Sequence, residues 1–299
     1  MKEIKIDFSD FWGGYDPHNN FWTLVLQKLN IPYTVVSDNS DILFCSCFGI
    51  NWTRKSSKKK IFWTGENWYR MDSLLPHLNN QSIINTFDLV YSFDYNTYNN
   101  HFRLPLYLID CIEKDIQDFN LIIRRKSKEL LQSEFKNRGF CTFVQGNGNC
   151  QYRNNYFITL NNYIEKIDSY GSLFNNTGKI LNREEKIKIS KDYKFQISFE
   201  NSEYDGYVSE KIIDAFVSDI IPIYWGGSKI SREFNDKSFI DVNQLGMDDS
   251  ISLISNLNND FELYWQYYNQ LVISKNQKSL SERINEFYNN FQSFIMNNI

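Results

Sequence analysis

The chain has 299 residues, with 32 Lys and Arg against 36 Asp and Glu, a formal net charge of −4. That length buries roughly three-quarters of the unfolded surface and suits about two domains, and 42% hydrophobic residues with so little net charge exclude a disordered chain. The mild acidity also excludes a nucleic-acid binder that works by broad charge attraction. Aromatic residues reach 17%, with 24 Phe, 19 Tyr and 7 Trp, so either the core is aromatic or some surfaces stack on flat ligands or sugars.

The segment Met1–Asp10 alternates charge where a signal peptide needs an apolar stretch. No run of about 18 apolar residues follows, so the expectation is a soluble, cytoplasmic chain without a membrane span. Strands are predicted at Ile4–Phe8, Ile42–Phe48, Lys60–Trp63 and Leu89–Phe93. Trp22, Leu24, Val25 and Leu29 mark a crossover helix over Phe21–Leu29. Alternating strands and helices predict a parallel sheet covered on both faces. Arg54, Lys55, Lys58, Lys59 and Lys60 read as a solvated loop, with attraction to an anionic membrane surface or an acidic glycan as the weaker reading. Between Leu104 and Arg138 the pattern becomes charged and helix-prone, around Ile122, Ile123 and Arg124-Arg125-Lys126.

The second half restarts the alternation. A strand over Phe140–Gln145 runs into Gly146-Asn147-Gly148-Asn149, and a helix over Arg153–Ile164 follows. Tyr193–Phe199 reads as a strand, Val208–Val217 as a helix with Val208, Ile212 and Phe216 on one stripe, and Ile220–Tyr224 as a strand closed by Gly226-Gly227. Leu263, Tyr267 and Leu271, then Ile284, Phe287, Phe291 and Phe294, lie at helical spacing. The expected fold is α/β, with two facing Rossmann-like domains over 1–138 and 139–275 and a C-terminal helix over 276–299 packing on the body. Five cysteines are too few and odd in number for a disulfide framework and read as small buried hydrophobes. His18, His77 and His101 pair with no cysteine at metal-ligand spacing.

The segment Lys194–Gly227 carries the most chemistry. A buried strand ends at Phe199 and is followed by Glu200 and Asn201, then a polar loop with Gly206 and a helix whose first turn holds Tyr207, Ser209, Glu210 and Lys211. Ligands of open α/β sheets sit beyond the carboxyl ends of the strands. A helix N-terminus there favours an anion, Lys211 adds a full positive charge, and Glu210 can accept from ribose hydroxyls. A bare Glu-Lys pair would be an ordinary surface feature; two acids and two amides around one strand end favour a binding site.

The strings Phe199-Glu200-Asn201-Ser202, Gly206-Tyr207-Val208-Ser209-Glu210-Lys211-Ile212 and Ile221-Pro222-Ile223-Tyr224-Trp225-Gly226 resemble the signature of the α-1,3/α-1,4-fucosyltransferases, glycosyltransferase family ten, and most closely its soluble bacterial-type members. Ile61-Phe62-Trp63-Thr64-Gly65-Glu66-Asn67 is similar to the family's shorter motif. The resemblance implies a GT-B arrangement that uses GDP-fucose as donor substrate without a required metal or other cofactor. Residue by residue, it implies that Glu66 is the general base and that Arg153 and Lys211 lie at the diphosphate. Glu210 matches the ribose-binding acid, and Asn201 and Tyr207 match donor contacts. Taken alone, Glu66 would read as a loop acid capping a helix over Asn67–Tyr69. No Asp-x-Asp occurs; Glu203-Tyr204-Asp205 is the nearest imitation and reads as loop.

The function expected is inverting transfer of L-fucose to the 3-hydroxyl, or alternatively the 4-hydroxyl, of a GlcNAc- or Glc-containing glycan. Two other readings stay open: a transferase of the same fold with another nucleotide sugar, and a non-catalytic glycan- or nucleotide-binding module. Acceptor recognition is expected from the loops Gly13–Asn20 and Trp68–Asn80. Trp12, Tyr15 and Trp22 are candidate walls, and Trp63, Trp68 and Tyr69 surround the proposed base.

Overall fold

The computed structural model describes residues 2–67, 80–95, 98–119, 123 and 125–299; Trp68, Tyr69, Ile122 and Arg124 lie outside them. The chain divides into two compact units, Met1–Gln117 with Ser281–Ile299, and Asp118–Leu280.

The first unit holds six strands: β1 (Ile4–Ser9), β2 (Tyr33–Val35), β3 (Ser40–Cys45), β4 (Ser57–Trp63), β5 (Leu89–Ser92) and β6 (His101–Arg103). They form one sheet in the order β2-β1-β3-β4-β5-β6, and every pairing is parallel. Central strands are near-continuous apolar runs because helices cover both faces. Helix α1 (Phe21–Lys28) starts at an Asn20 capping box with Thr23. Helices α2 (Asn80–Thr86) and α3 (Leu106–Glu113) follow.

The second unit holds α4 (Lys128–Glu134), β7 (Gly139–Phe143), α5 (Gln151–Tyr163), β8 (Asp168–Ser169), α6 (Arg183–Ser190), β9 (Tyr193–Ile197), α7 (Lys211–Val217), β10 (Ile221–Tyr224), β11 (Ile240–Asp241), α8 (Val242–Asn259) and α9 (Phe261–Tyr268). Its all-parallel sheet runs β8-β7-β9-β10-β11. Both sheets therefore reverse direction beside their first strand, at β1/β3 and at β7/β9. This is the doubly wound α/β architecture of a GT-B chain.

Segment 118–138, which the sequence places in the first domain, belongs to the second unit. Phe119 packs on Phe234 at 6.2 Å, and Phe135 on Tyr264 at 5.2 Å. Arg125 lies 4.7 Å over the Tyr268 ring and pairs with Asp219. The last helix, α10 (Leu280–Asn298), returns to the first unit. There Phe287 and Phe291 pack on the fully buried Trp22, which stacks on Phe44 at 4.9 Å.

All five cysteines are buried as free thiols. Only the start of the basic run, Arg54 and Lys55, lies in a turn; Lys58, Lys59 and Lys60 are on strand β4 (Ser57–Trp63). Three of the run's five cations pair with acids, Lys55 with Asp7, Lys58 with Asp41 and Lys59 with Asp88, while Lys60 lies over the Trp52 ring. Among the described residues no helix is long and apolar enough to cross a membrane.

Candidate active site

At the carboxyl edge of the second sheet, the loop after β7 and the chain leaving β9 meet at the switch point. Arg153, in the first turn of α5, is fully buried between them. Its Nη1 donates to Asn201 Oδ1 at 2.8 Å and to the Glu200 carbonyl at 3.4 Å, and its Nη2 donates to the Asn147 carbonyl. The guanidinium thus clamps two loops that the sequence separates by some fifty residues. Gly171 completes the junction: a Cβ there would fall 2.0 Å from the Gln145 carbonyl oxygen, so no larger residue fits.

Glu200 continues the β9 edge, its amide bonding the Trp225 carbonyl at 2.9 Å. Its carboxylate is fully buried. Oε1 accepts from the Ser209 amide at 2.7 Å; Oε2 accepts from Ser209 Oγ at 2.7 Å and from Lys211 Nζ at 3.0 Å. Lys211 Nζ also donates to Ser209 Oγ at 2.9 Å. Burial alone would lower the Lys211 ammonium, but Glu200, then Glu210 and Tyr207, hold it above the usual lysine range. Burial pushes Glu210 up, and Lys211, with help from its own amide, Lys186 and Arg183, brings its carboxyl below the ordinary range. The motif glycine Gly226 is needed here because a Cβ would sit 2.7 Å from Glu200 Cγ. Tyr207 is buried at the same edge, and its carbonyl accepts from Tyr224 Oη at 3.4 Å.

One expectation changes. The helix begins at Lys211, three residues later than the apolar stripe suggests, and has only seven residues. The Ser209 amide, expected at a helix N-terminus open to an anion, is taken by Glu200. Positive charge at this edge therefore comes from Arg153 and Lys211 and not from a helix dipole. Glu200 is the residue to which the sequence analysis assigns no role. Its signal was the Phe-Glu-Asn string itself, since a carboxylate at a strand end within reach of a following Ser-Glu-Lys needs a buried partner.

In the first unit, Glu66 is half-buried in the loop after β4. Its amide donates to Thr64 Oγ1 at 3.0 Å, and Thr64 is itself fully buried. Gly65 is pressed between neighbours: a Cβ there would lie 2.6 Å from Leu106 Cδ2 and 3.2 Å from Trp63 Cζ2. Leu106 and Trp63 are two walls of a cavity of about 470 Å³; Glu66, three residues after Trp63, is not itself among its lining residues. The cavity opens at the carboxyl ends of β1 and β4 and is lined by the expected Trp12, Tyr15 and Trp22, together with Phe11. Phe11 stacks on Tyr15 at 4.0 Å, and Trp12 meets Tyr15 edge-on at 5.0 Å.

The loop that builds this wall starts from a strained residue. Asp10 has φ of 61°, a conformation few side chains adopt unless their surroundings hold them there. Its carboxylate is held by the amides of Asn51 (3.0 Å) and Trp52 (2.8 Å), Asn51 Nδ2 (2.7 Å) and Ser9 Oγ (2.7 Å). The five donor-site candidates thus share the second unit's edge, and Glu66 stands on the first unit.

Two family models match the chain: glycosyltransferase family 10 (fucosyltransferase) C-term over residues 133–289, and the alpha-(1,3)-fucosyltransferase FucT N-terminal domain over residues 6–110. The alpha-(1,3)-fucosyltransferase FucT of Helicobacter pylori is 29% identical over 296 residues, covering 87% of this chain; the chain spans 58% of that relative's length. A crystal structure of an α1,3-fucosyltransferase with GDP is 26% identical with a TM-score of 0.76, covering 99% of this chain and 91% of that one. The same kind of enzyme with GDP-fucose gives 26% identity and a TM-score of 0.71 over 96% and 89% of the two chains.

Proposed function

The chain belongs to glycosyltransferase family 10, and on that premise we propose that it transfers L-fucose from GDP-β-L-fucose to the 3-hydroxyl, or alternatively the 4-hydroxyl, of a GlcNAc- or Glc-containing glycan. The observation that carries the reading is the meeting of Arg153, Asn201, Glu200 and Lys211 at the switch point of the second sheet, where open α/β sheets hold nucleotides. Solved relatives with GDP and GDP-fucose support the same choice of donor.

Glu66 takes the proton from the acceptor hydroxyl as that oxygen attacks the anomeric carbon. The bond from that carbon to the diphosphate breaks, GDP departs, and the β-linked sugar becomes α-linked. Arg153 lends its positive charge to the diphosphate from beneath, while its planar fork holds the two loops that frame the site. Lys211 commits two of its three N–H groups to Glu200 and Ser209 and gives the third to a phosphate oxygen. These cations offset the charge that grows on the leaving GDP, the task a metal ion performs in other transferases. Glu210 accepts from the ribose hydroxyls, and Asn201 and Tyr207 complete the donor contacts.

Incubation with GDP-fucose and a glycan array in the presence of EDTA, with the product linkage mapped, tests the whole reading. The expected result is an α-fucosylated product that persists with EDTA. Turnover with another nucleotide sugar instead of GDP-fucose, or none with any glycan, would overturn it.

A further inference from the structure

We infer that the groove at the amino-terminal edge of the first sheet is a second carbohydrate site, which holds a remote sugar of a long glycan while another sugar of the same chain reacts. The groove is read from geometry; the choice of ligand rests on the transfer reading, in which the protein works on glycans. Asp88 and Asn100 stand immediately before β5 and β6, Lys59 lies early in β4, and Asn290 and Phe294 come from the last turns of α10. All of them belong to the first unit, and they line an open cavity of about 290 Å³. Because the strands are parallel, this cavity lies at the opposite end of the sheet from the Glu66 loop. The stretch of β4 from Lys59 to Trp63 alone spans about 13 Å, so a sugar in the groove is not the one that reacts.

Two amides here are each fixed by one half and leave the other half for a ligand. The Tyr91 hydroxyl donates to Asn290 Oδ1 at 2.7 Å, which orients the amide and leaves its two N–H groups unpaired among the described residues. Asn100 is held the opposite way: Nδ2 donates to the carbonyls of Ile84 at 2.7 Å and Phe87 at 2.9 Å, and Oδ1 is left to accept. Asp88 is fixed as well, by the Lys60 amide on Oδ2 at 2.8 Å and by Lys59 Nζ on Oδ1 at 2.9 Å, and its carboxylate keeps lone pairs for further donors. Phe294 is half-buried and turns part of its ring to the same cavity. A sugar hydroxyl both donates and accepts, and the ring that carries it has a C–H face. A donor, an acceptor, a carboxylate and an aromatic edge match that ligand, as the few placed polar groups of a binding site do. Both amides are half-buried and already ordered, so little freedom is lost when a sugar arrives.

The test titrates the full chain, carrying isotopically labelled asparagine, with N-acetyllactosamine and follows the side-chain amides by NMR. The titration runs to about 20 mM, well above a millimolar dissociation constant. The Asn290 and Asn100 side-chain signals are expected to shift and saturate. Asn290→Asp keeps the acceptor for Tyr91 and removes both N–H donors, so binding read at Asn100 should weaken about three- to tenfold. Phe294→Ala should weaken it about threefold. Unshifted amides, wild-type affinity in both variants, or the same shifts with inorganic phosphate in place of the sugar would overturn the inference. Turnover with GDP-fucose then compares the disaccharide with a linear chain of three such repeats. The longer glycan should have a KM about tenfold lower, an advantage lost in Asn290→Asp while the KM of the disaccharide stays the same. Equal KM values for the two lengths would also overturn it. Saturating shifts without any transfer sink the transfer reading alone; transfer without shifts sinks this site alone.

Discussion

The two sheets have the same strand order about their first strand, yet their carboxyl edges are furnished in opposite ways. After β1 and β4 the first unit places Phe11, Trp12, Tyr15 and Trp63 around an open cavity; among the described residues its charged lining is acidic. After β7 and β9 the second unit buries a guanidinium and an ammonium in a web of hydrogen bonds to Asn201, Glu200 and Ser209. The backbone supplies the crevice in both cases, and the loops decide what enters it. Ring faces suit a polyhydroxylated sugar, which is gripped by shape and desolvation. Fixed cations suit a diphosphate, whose charge must be balanced. In the reaction proposed above, donor and acceptor are then separated by chemistry on one repeated scaffold.

Removing Glu66 presses hardest on this division. Glu66→Ala is expected to lower transfer by about a thousandfold or more, within the range for loss of a general base, while calorimetry shows GDP binding unchanged. Full turnover in that variant would take the base role from Glu66. Arg153→Lys keeps the charge and loses the fork, so GDP affinity should fall about a hundredfold while glycan binding by the first unit stays the same. A parallel loss of glycan binding would mean that the two edges are not independent.

Acid offers a third way to separate the units. His101 is buried against Ser92 at 2.8 Å, and burial, then Arg103, lowers its pKa to about 4, well below the ordinary histidine value of about 6.5. The unfolded chain therefore binds the proton first, and stability present above about pH 6.5 is lost as pH falls toward 4. Between pH 7 and pH 5 the first unit should lose about 2 kcal/mol. His101→Gln should flatten that slope in urea titrations; an unchanged slope would clear His101. A smaller effect is expected of Glu200→Gln, about a tenfold rise in donor KM with kcat less affected, because Lys211 and Ser209 lose the group that positions them. Trp12→Ala should be smallest, raising the acceptor KM about fivefold and leaving the donor KM unmoved. A shift in donor KM instead would blur the contrast between the edges.

The long strands and the donor motif were legible because their signals are local. Ile221–Tyr224 is a buried apolar run, and Gly206 through Lys211 is an ordered string. Strands β2, β6, β8 and β11 were not, since two or three residues carry no period and exist only as pairings with a neighbour. The allegiance of Arg125 depends on Asp219 and Tyr268, far along the chain, and no composition shift marks it. Glu200 stood in plain view, but its role depends on where the next helix starts, and that start is displaced because Glu200 itself captures the Ser209 amide. The lysine run misled because its countercharges, Asp7, Asp41 and Asp88, lie on other segments.

The return of α10 to the first unit has a consequence for the order of synthesis. Domains usually fold as they leave the ribosome, the N-terminal one first. Here Trp22, made well over two hundred residues before the last helix, waits for Phe287 and Phe291 to close its core. The second unit is fully translated before that closure is possible, so the later-made unit has the opportunity to mature first. The nascent first unit, with its apolar face still open, is the part of the chain that most needs shelter while translation finishes.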